Sequence, residues 1–287
     1  MQITAQLVKA FTTDKSQGNP AGVVLNADNL SGKQMLKIAA KLGFSESAFV
    51  QTSARADFRI RFFSVRQEVD FCGHATIAAF HAIMGHNHIL VGNKQWVTIR
   101  QETNVGILPV TCHTEGKIVM DQNDPVFSEV ISDKSVVTVL LNIEPAAISN
   151  SPIQIVSTGT PKLIIPITSL ANVRRIAPNL RGISEYCRQH NVKGFYPFTA
   201  QTLKGTSDFY ARQFNPLAGI NEDPITGIAA GALGCYANRY GLAGGRKQFV
   251  IEQGYDMKMG GEMYVDITNG VKVGGYAVTY GEQRITL

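Results

Sequence analysis

The sequence predicts an α+β fold of two similar lobes, each a strand-rich shell around one buried helix. Three observations carry this. Asp57-Phe58-Arg59-Ile60-Arg61-Phe62-Phe63-Ser64-Val65 resembles Asp208-Phe209-Tyr210-Ala211-Arg212-Gln213-Phe214-Asn215-Pro216, 151 positions later, and three further echoes keep the same order: Gly18-Asn19-Pro20 with Gly159-Thr160-Pro161, Gly43-Phe44 with Gly194-Phe195, and Glu68 to Ala79 with Glu222 to Leu233. Four matches in register, at about half the chain length, indicate an internal duplication. Second, Ala75 to Met84 and Ile228 to Ala237 are apolar or small nearly all the way round, the mark of a helix buried on every side. Third, short alternating stretches recur along the whole chain, as strands do.

Taken in order, Ile3 to Ala10 alternates as an opening strand. Leu30 to Gly43 begins with a Ser31-x-x-Gln34 capping box and closes on glycine. Met35, Leu36, Ala39 and Leu42 fall at helical spacing opposite lysines, so this is an amphipathic surface helix. Strands are expected at Ser47 to Gln51, Phe58 to Phe63, Val97 to Gln101 and Ile118 to Met120. The polar stretch Asp121 to Glu129, with Pro125, marks the boundary between an N-terminal lobe, 1–124, and a C-terminal lobe, 125–275. In the second lobe helical patterns at Asp133 to Leu141 and Asn179 to His190 lie outside. Strands are expected at Leu163 to Ile167, Phe209 to Phe214, Met263 to Ile267 and Val271 to Tyr280, the last two joined by an Asn269-Gly270 turn.

Composition narrows the function. At 287 residues, 44% hydrophobic and 17% charged, the chain can bury a sizeable core in each lobe. The net charge of +5 is spread out: Arg174-Arg175 and Arg246-Lys247 are isolated basic doublets, and no basic run interleaves with aromatics, so no nucleic-acid groove is expected. The charge suits a small acidic metabolite. No uncharged apolar stretch is long enough to span a bilayer, and Met1 to Phe11 lacks the pattern of a signal peptide, so the expected location is the cytoplasm, without membrane contact. Cys72, Cys112, Cys187 and Cys235 are far apart with no C-x-x-C, which points to reduced thiols. No dinucleotide fingerprint, Walker loop, zincin motif or nucleophile elbow is present. Side-chain chemistry without a cofactor is the expectation.

The candidate groups follow from their settings. Glu46 lies between two serines just after a helix C-terminus, where the helix dipole and burial beside Phe44 and Phe49 both raise a carboxyl pKa toward the range of proton transfer. Otherwise it is a solvated turn residue. Gly73-His74 and Gly227-Ile228 open the two buried helices, and helix starts bind anions through unpaired backbone N–H groups; the alternative is glycine serving close packing. His74 is a proton shuttle or a satisfied buried histidine, Asp223 a helix cap or an acid over the site, and Cys72 an activated thiol or a packing residue. A metal is not expected: His74 and His81 share a helix face and His86-Asn87-His88 is a loop pair, but no nearby carboxylate completes a set.

Together these residues identify a resemblance. Gly18-Asn19-Pro20-Ala21-Gly22-Val23-Val24, Ser45-Glu46-Ser47-Ala48-Phe49-Val50, Glu68-Val69-Asp70-Phe71-Cys72-Gly73-His74-Ala75-Thr76, Phe214-Asn215-Pro216 and Glu222-Asp223-Pro224-Ile225-Thr226-Gly227 resemble, in order, the PhzF-like family of phenazine biosynthesis, which belongs with the diaminopimelate-epimerase and proline-racemase folds. The resemblance implies two pseudo-symmetric β-barrel-like lobes, each around a central helix, with the last strand, about 276–287, returning to the first lobe and a homodimer as the assembly. It implies a metal-free, cofactor-free isomerase whose catalytic residues fall on Glu46, His74 and Asp223, with Ser45, Cys72, Gly73, Gly227 and Ile228 binding substrate in a cleft between the lobes. The characterised family enzyme moves a proton between ring carbons of a hydroxylated dihydroanthranilate.

Departures bear on the substrate. Ile228 stands where the family usually has a small polar residue, and Asp70 and Val65 replace its usual prolines. Two other functions compete. A two-base epimerase would use a cysteine from each lobe; Cys72 fits the first, but Asp223 to Gly227 holds no cysteine and Cys235 lies two helical turns further in. A non-catalytic binding homologue is the other, against which the joint presence of Glu46, His74 and Asp223 weighs.

Overall fold

A computed structural model describes residues 1–86 and 94–287. Among them are six α-helices: α1 Gly32–Leu42, α2 Gly73–Gly85, α3 Lys134–Leu141, α4 Leu170–Arg175, α5 Leu180–Gln189 and α6 Gly227–Arg239. Contacts divide the chain into two units, Met1–Asp121 with Gly274–Leu287, and Gln122–Val273.

In the first unit the strand Ala277–Thr286 pairs antiparallel with Gln2–Ala10, Ile285 opposite Ile3, so the C-terminal strand belongs to the N-terminal sheet. From Gln2–Ala10 the sheet continues to Asn19–Val24 (antiparallel), Glu46–Gln51 (parallel), Phe58–Ser64 (antiparallel), Trp96–Thr103 (parallel) and Gly106–His113 (antiparallel). One face of this sheet wraps α2, which touches four of its strands. His74 to Phe80, Ala82 and Ile83 are all buried, as expected of a helix with no polar stripe. The opposite side carries α1. Its Met35, Ile38, Ala39 and Leu42 join Ile3, Val24, Phe49, Phe63 and Ile285 in a separate apolar cluster. Fully burying each such large side chain contributes about 1.5–3 kcal/mol.

The second unit uses the same succession. Ile153–Ser157 pairs with Lys162–Pro166 (antiparallel), then come Phe195–Thr199 (parallel), Phe209–Ala211 (antiparallel), Gln248–Gln253 (parallel) and Gly261–Asp266 (antiparallel). The central helix is α6, buried from Ala229 to Ala237. A matching ion pair braces each unit. Arg61 donates from Nε and Nη2 to the two Glu68 oxygens at 2.8 and 2.7 Å, and Arg212 does the same to Glu222 at 2.8 Å twice. Each guanidinium also lies over a phenylalanine two residues along, Phe63 or Phe214. Bidentate, partly desolvated pairs of this kind fix geometry as well as energy. They tie the strand before each buried helix to the segment that leads into it.

Local signals set the helix ends. The Ser31/Gln34 capping box forms in full, and Gly43 takes the left-handed conformation (φ 74°) as the C-cap of α1. Asp133 and Asn179 cap α3 and α5. Several strands escape the sequence pattern. The polar stretch around Pro125 runs directly into the strand Val126–Ile131, whose side chains are mostly exposed, so its composition reads as a connector. Phe209 to Phe214 is two strands, Phe209–Ala211 and Gln213–Asn215, and the run from Val271 is interrupted at Tyr276. The strands Ile153–Ser157, buried as far as Val156, and Phe195–Thr199, buried throughout, show no alternation in burial. Among the described residues no helix is long and apolar enough to cross a membrane.

Candidate active site

The turn that ends α1 delivers Glu46. Gly43 reverses the chain, Phe44 packs against the outer apolar cluster, Ser45 is exposed, and Glu46 is the first residue of the strand that pairs with Phe58–Ser64, directly opposite Ser64. Its side chain keeps 18% of its exposure. Burial raises the Glu46 pKa, and hydrogen bonds from Ser45 and Cys72 partly oppose the rise. The carboxyl is therefore held above the ordinary glutamate range by desolvation, with donors that still favour its ionised form.

Cys72 and His74 come from the start of α2. Cys72 is the N-cap residue in extended conformation (φ −147°), no side chain caps the first turn, and the Cys72 carbonyl accepts from the Thr76 N–H and hydroxyl at 3.0 and 2.8 Å. The Sγ lies 3.4 Å from His74 Nδ1, and His74 Nε2 lies 3.7 Å from Glu46 Oε2. The second distance exceeds a direct hydrogen bond, so the imidazole faces the carboxyl as a near neighbour without a bond between them. At Gly73 an added Cβ would meet only Met120 Cε, at 3.6 Å. Space is therefore open on the protein side, and close helix packing does not account for this glycine. It leaves backbone N–H groups at the positive end of α2 approachable by an anion.

The sequence separates Glu46 from Cys72 and His74, and the parallel pairing of Asn19–Val24 with Glu46–Gln51 over α2 joins them. This also supplies the carboxylate that the His74/His81 spacing lacked: Glu46, Cys72 and His74 each place one donor atom within 4.8 Å of the other two. His81 is not part of that group, and burial lowers its pKa. Asn87 and His88, half of the other histidine pair, lie outside the described residues.

In the second unit, Asp223 ends the strand Ile220–Asp223 and Thr226 is the N-cap of α6. Thr226 Oγ1 donates to Asp223 Oδ2 at 2.5 Å. Gln253, which nothing in the sequence pattern marks, ties this loop together: its Nε2 donates to the Asp223 carbonyl at 2.8 Å, and its Oε1 accepts from Thr226 N–H at 3.2 Å and from Tyr196 OH at 3.0 Å. Lys162, 3% exposed, donates to the Lys193 carbonyl at 2.7 Å. Burial pushes its pKa down to about 8, against the attraction of the Asp223 charge. A lysine opening the apolar run Lys162-Leu163-Ile164-Ile165 is the signal that could have found it. At the α6 start, the Gly227 carbonyl accepts from Gln122 Nε2 at 3.0 Å and the Ile228 carbonyl from Thr158 Oγ1 at 3.2 Å. Ile228 also closes over Gly159, where a Cβ would sit 3.0 Å from Ile228 Cδ1. Ser45, Glu46, Cys72, Gly73 and His74 thus form one group, in the first unit, and Asp223, Gly227 and Ile228 form another, in the second.

Comparison with known proteins gives a consistent result. The model of the PhzC-PhzF family, phenazine biosynthesis-like protein, matches residues 8–283. The uncharacterized isomerase YfhB of Bacillus subtilis is 33% identical over 287 residues, 96% of each chain. Trans-2,3-dihydro-3-hydroxyanthranilate isomerase of Pseudomonas chlororaphis is 29% identical, with 98% of each chain covered. A PhzF-family phenazine biosynthesis protein of Bacillus anthracis superposes with a TM-score of 0.90 at 29% identity over all of both chains.

Proposed function

The chain belongs to the PhzC-PhzF family of phenazine biosynthesis-like proteins and is an isomerase, and from that premise we propose that it moves a proton within a small carboxylate-bearing metabolite, with Glu46 as the single acid/base. The observation that carries this reading is the desolvated Glu46 carboxyl, raised in pKa, beside Ser45, Cys72 and His74 at the open start of α2. Desolvation moves the carboxyl pKa in the direction that suits a group which takes a proton and returns it.

In this reading ionised Glu46 removes a proton from one carbon, and the resulting carboxylic acid delivers it to another on the same face of the substrate. His74 donates toward the charge that develops on the substrate. The substrate carboxylate rests on the backbone N–H groups that open α2. In the second unit Asp223, fixed by Thr226, is an acceptor for a donor group, and the Gly227-Ile228 backbone opens α6 as an anion contact of its own. The side chains present do this without a metal or cofactor. A trans-2,3-dihydro-3-hydroxyanthranilate-like acid is the natural first substrate to test, and Ile228, which offers no side-chain hydrogen bond, favours a relative that is less polar at that point. A homodimer in the cytoplasm is the accompanying expectation, checked by light scattering and fractionation.

The 3.4 Å approach of Cys72 Sγ to His74 Nδ1 favours one other reading, a thiol as second proton carrier. Solvent exchange separates the two. In deuterated buffer Glu46→Gln is expected to slow deuterium incorporation into substrate by about 10²- to 10⁴-fold, the usual contribution of a general acid/base, while Cys72→Ser keeps most of it. The opposite ranking would transfer the proton to the thiol.

A further inference from the structure

We propose that Glu46, Cys72 and His74 form a three-donor site for one divalent cation of the Zn²⁺ type, and that the bound metal switches the isomerase off by occupying the lone pairs that proton transfer uses. The inhibitory half rests on the acid/base reading of Glu46; the site itself does not.

One donor atom from each residue lies within 4.8 Å of the other two, with Cys72 Sγ 4.0 Å and Glu46 Oε2 3.7 Å from His74 Nε2. Tetrahedral zinc, with bonds of about 2.0–2.3 Å, needs donor-to-donor separations of about 3.3–3.7 Å. Side-chain torsions alone can close that difference. Thiolate, imidazole and carboxylate are also the donor types zinc selects, and three protein ligands leave the fourth position for water, the arrangement of an accessible site. Charge supports it: a thiolate and a carboxylate together neutralise the dication. The positive end of α2 opposes the cation with a partial charge of only about half a unit. Glu46 at 18% exposure and His74 at 8%, with Cys72 half-buried, leave the donors reachable. Cys112, Cys187 and Cys235 are buried and belong to no such group among the described residues.

Binding releases a proton. The metal–sulfur bond forms as the Cys72 thiol gives its proton to buffer, and Glu46 binds as carboxylate, so affinity rises with pH. With its oxygen on the metal, Glu46 can neither take nor return a substrate proton.

The test uses the whole protein, stripped with a chelator and titrated with Co²⁺ as a spectroscopic substitute for Zn²⁺. One equivalent is expected to produce a thiolate-to-cobalt charge-transfer band in the near ultraviolet, bleached by Zn²⁺. Cys72→Ser abolishes the band, and Glu46→Gln and His74→Asn each weaken binding by at least about tenfold, with circular dichroism checking that the variants fold. No band, or a band that survives Cys72→Ser, overturns the site. Substrate deuterium exchange is expected to fall in proportion to occupancy and return with chelator. Exchange that rises with occupancy would overturn the inhibitory half and the metal-free isomerase reading together. Absence of binding, with Glu46→Gln still abolishing exchange, would overturn the site and leave the isomerase reading intact.

Discussion

The starts of the two buried helices share a backbone plan and differ in chemistry. Each follows a strand bound by a bidentate Arg–Glu pair, Arg61–Glu68 or Arg212–Glu222, and each opens on a glycine after an N-cap residue whose side chain caps nothing. At α2 the surrounding side chains are titratable: Glu46, Cys72 and His74 within 4.8 Å. At α6 they are an apolar Ile228 and an Asp223 already engaged by Thr226. The two units supply equivalent frames, and side-chain divergence gathers titratable groups at one and a fixed hydrogen bond at the other. The interior positions diverge as well. In the register that matches Gly73 with Gly227, Ile77 and Phe80 of α2 correspond to Gly231 and Gly234 of α6. In α6 a Cβ at Gly231 would strike Gln122 Oε1, the atom that accepts from Thr158, and one at Gly234 would come within 2.7 Å of Val265.

That contrast predicts opposite sensitivities. Phe80→Ala leaves a cavity in the first unit and is expected to cost about 3–5 kcal/mol in denaturant unfolding. Gly231→Ala overpacks the second, displaces Gln122 and costs about 1–3 kcal/mol. A neutral Gly231→Ala would mean that α6 has room the packing does not show.

Asp223→Asn removes a charged acceptor while leaving the loop's shape. It is expected to reduce kcat/KM by about 1.5–3 kcal/mol, the worth of a hydrogen bond to a charged group. Most of the loss should appear in KM, whereas Glu46→Gln acts on kcat. A loss confined to kcat in Asp223→Asn would make the two helix starts chemical equals.

The raised pKa of Glu46 also links stability to pH. A carboxyl whose folded pKa exceeds its unfolded value of 4.5 favours folding in its protonated form; the contribution is complete below the unfolded pKa and is lost as pH rises through the folded one. Glu46→Gln mimics the protonated form. Its melting temperature relative to wild type should therefore climb as pH rises through the folded pKa. A constant difference across that range would show that Glu46 is not desolvated.

The smallest expected effect is at Ile228. Replacement by serine restores a donor at the α6 start and is expected to improve binding of hydroxylated cyclic acids by about 1 kcal/mol, read as KM. No change would place Ile228 away from the substrate.

Much of the fold was legible because its signals are local or periodic. A capping box needs residues three apart, and Ser31/Gln34 forms as written; a helix buried nearly all round needs only a run of small and apolar residues, as from Ala75 to Phe80. Two of the strands that were missed show why. Val126–Ile131 is polar because it is mostly exposed, and Phe195–Thr199 is uniformly apolar because both of its faces are covered. Neither alternates, so neither displays a period of two. Glu46 was marked by its position after α1, and His74 by its place behind a helix-opening glycine. Gln253 carried no mark, because its role in bracing Asp223 exists only where the strand Gln248–Gln253 passes that loop.

The sequence by itself determined the element types, the doubled plan and the residues able to carry a proton, since these depend on side-chain chemistry and on spacings of a few residues. The tertiary structure decided which of them meet. Glu46 and Cys72 are brought into hydrogen-bonding contact by packing that no short-range pattern encodes, and Glu46 is desolvated by burial in the folded chain. Burial and proximity are properties of the packed chain, and they turn an ordinary glutamate into one whose pKa is raised.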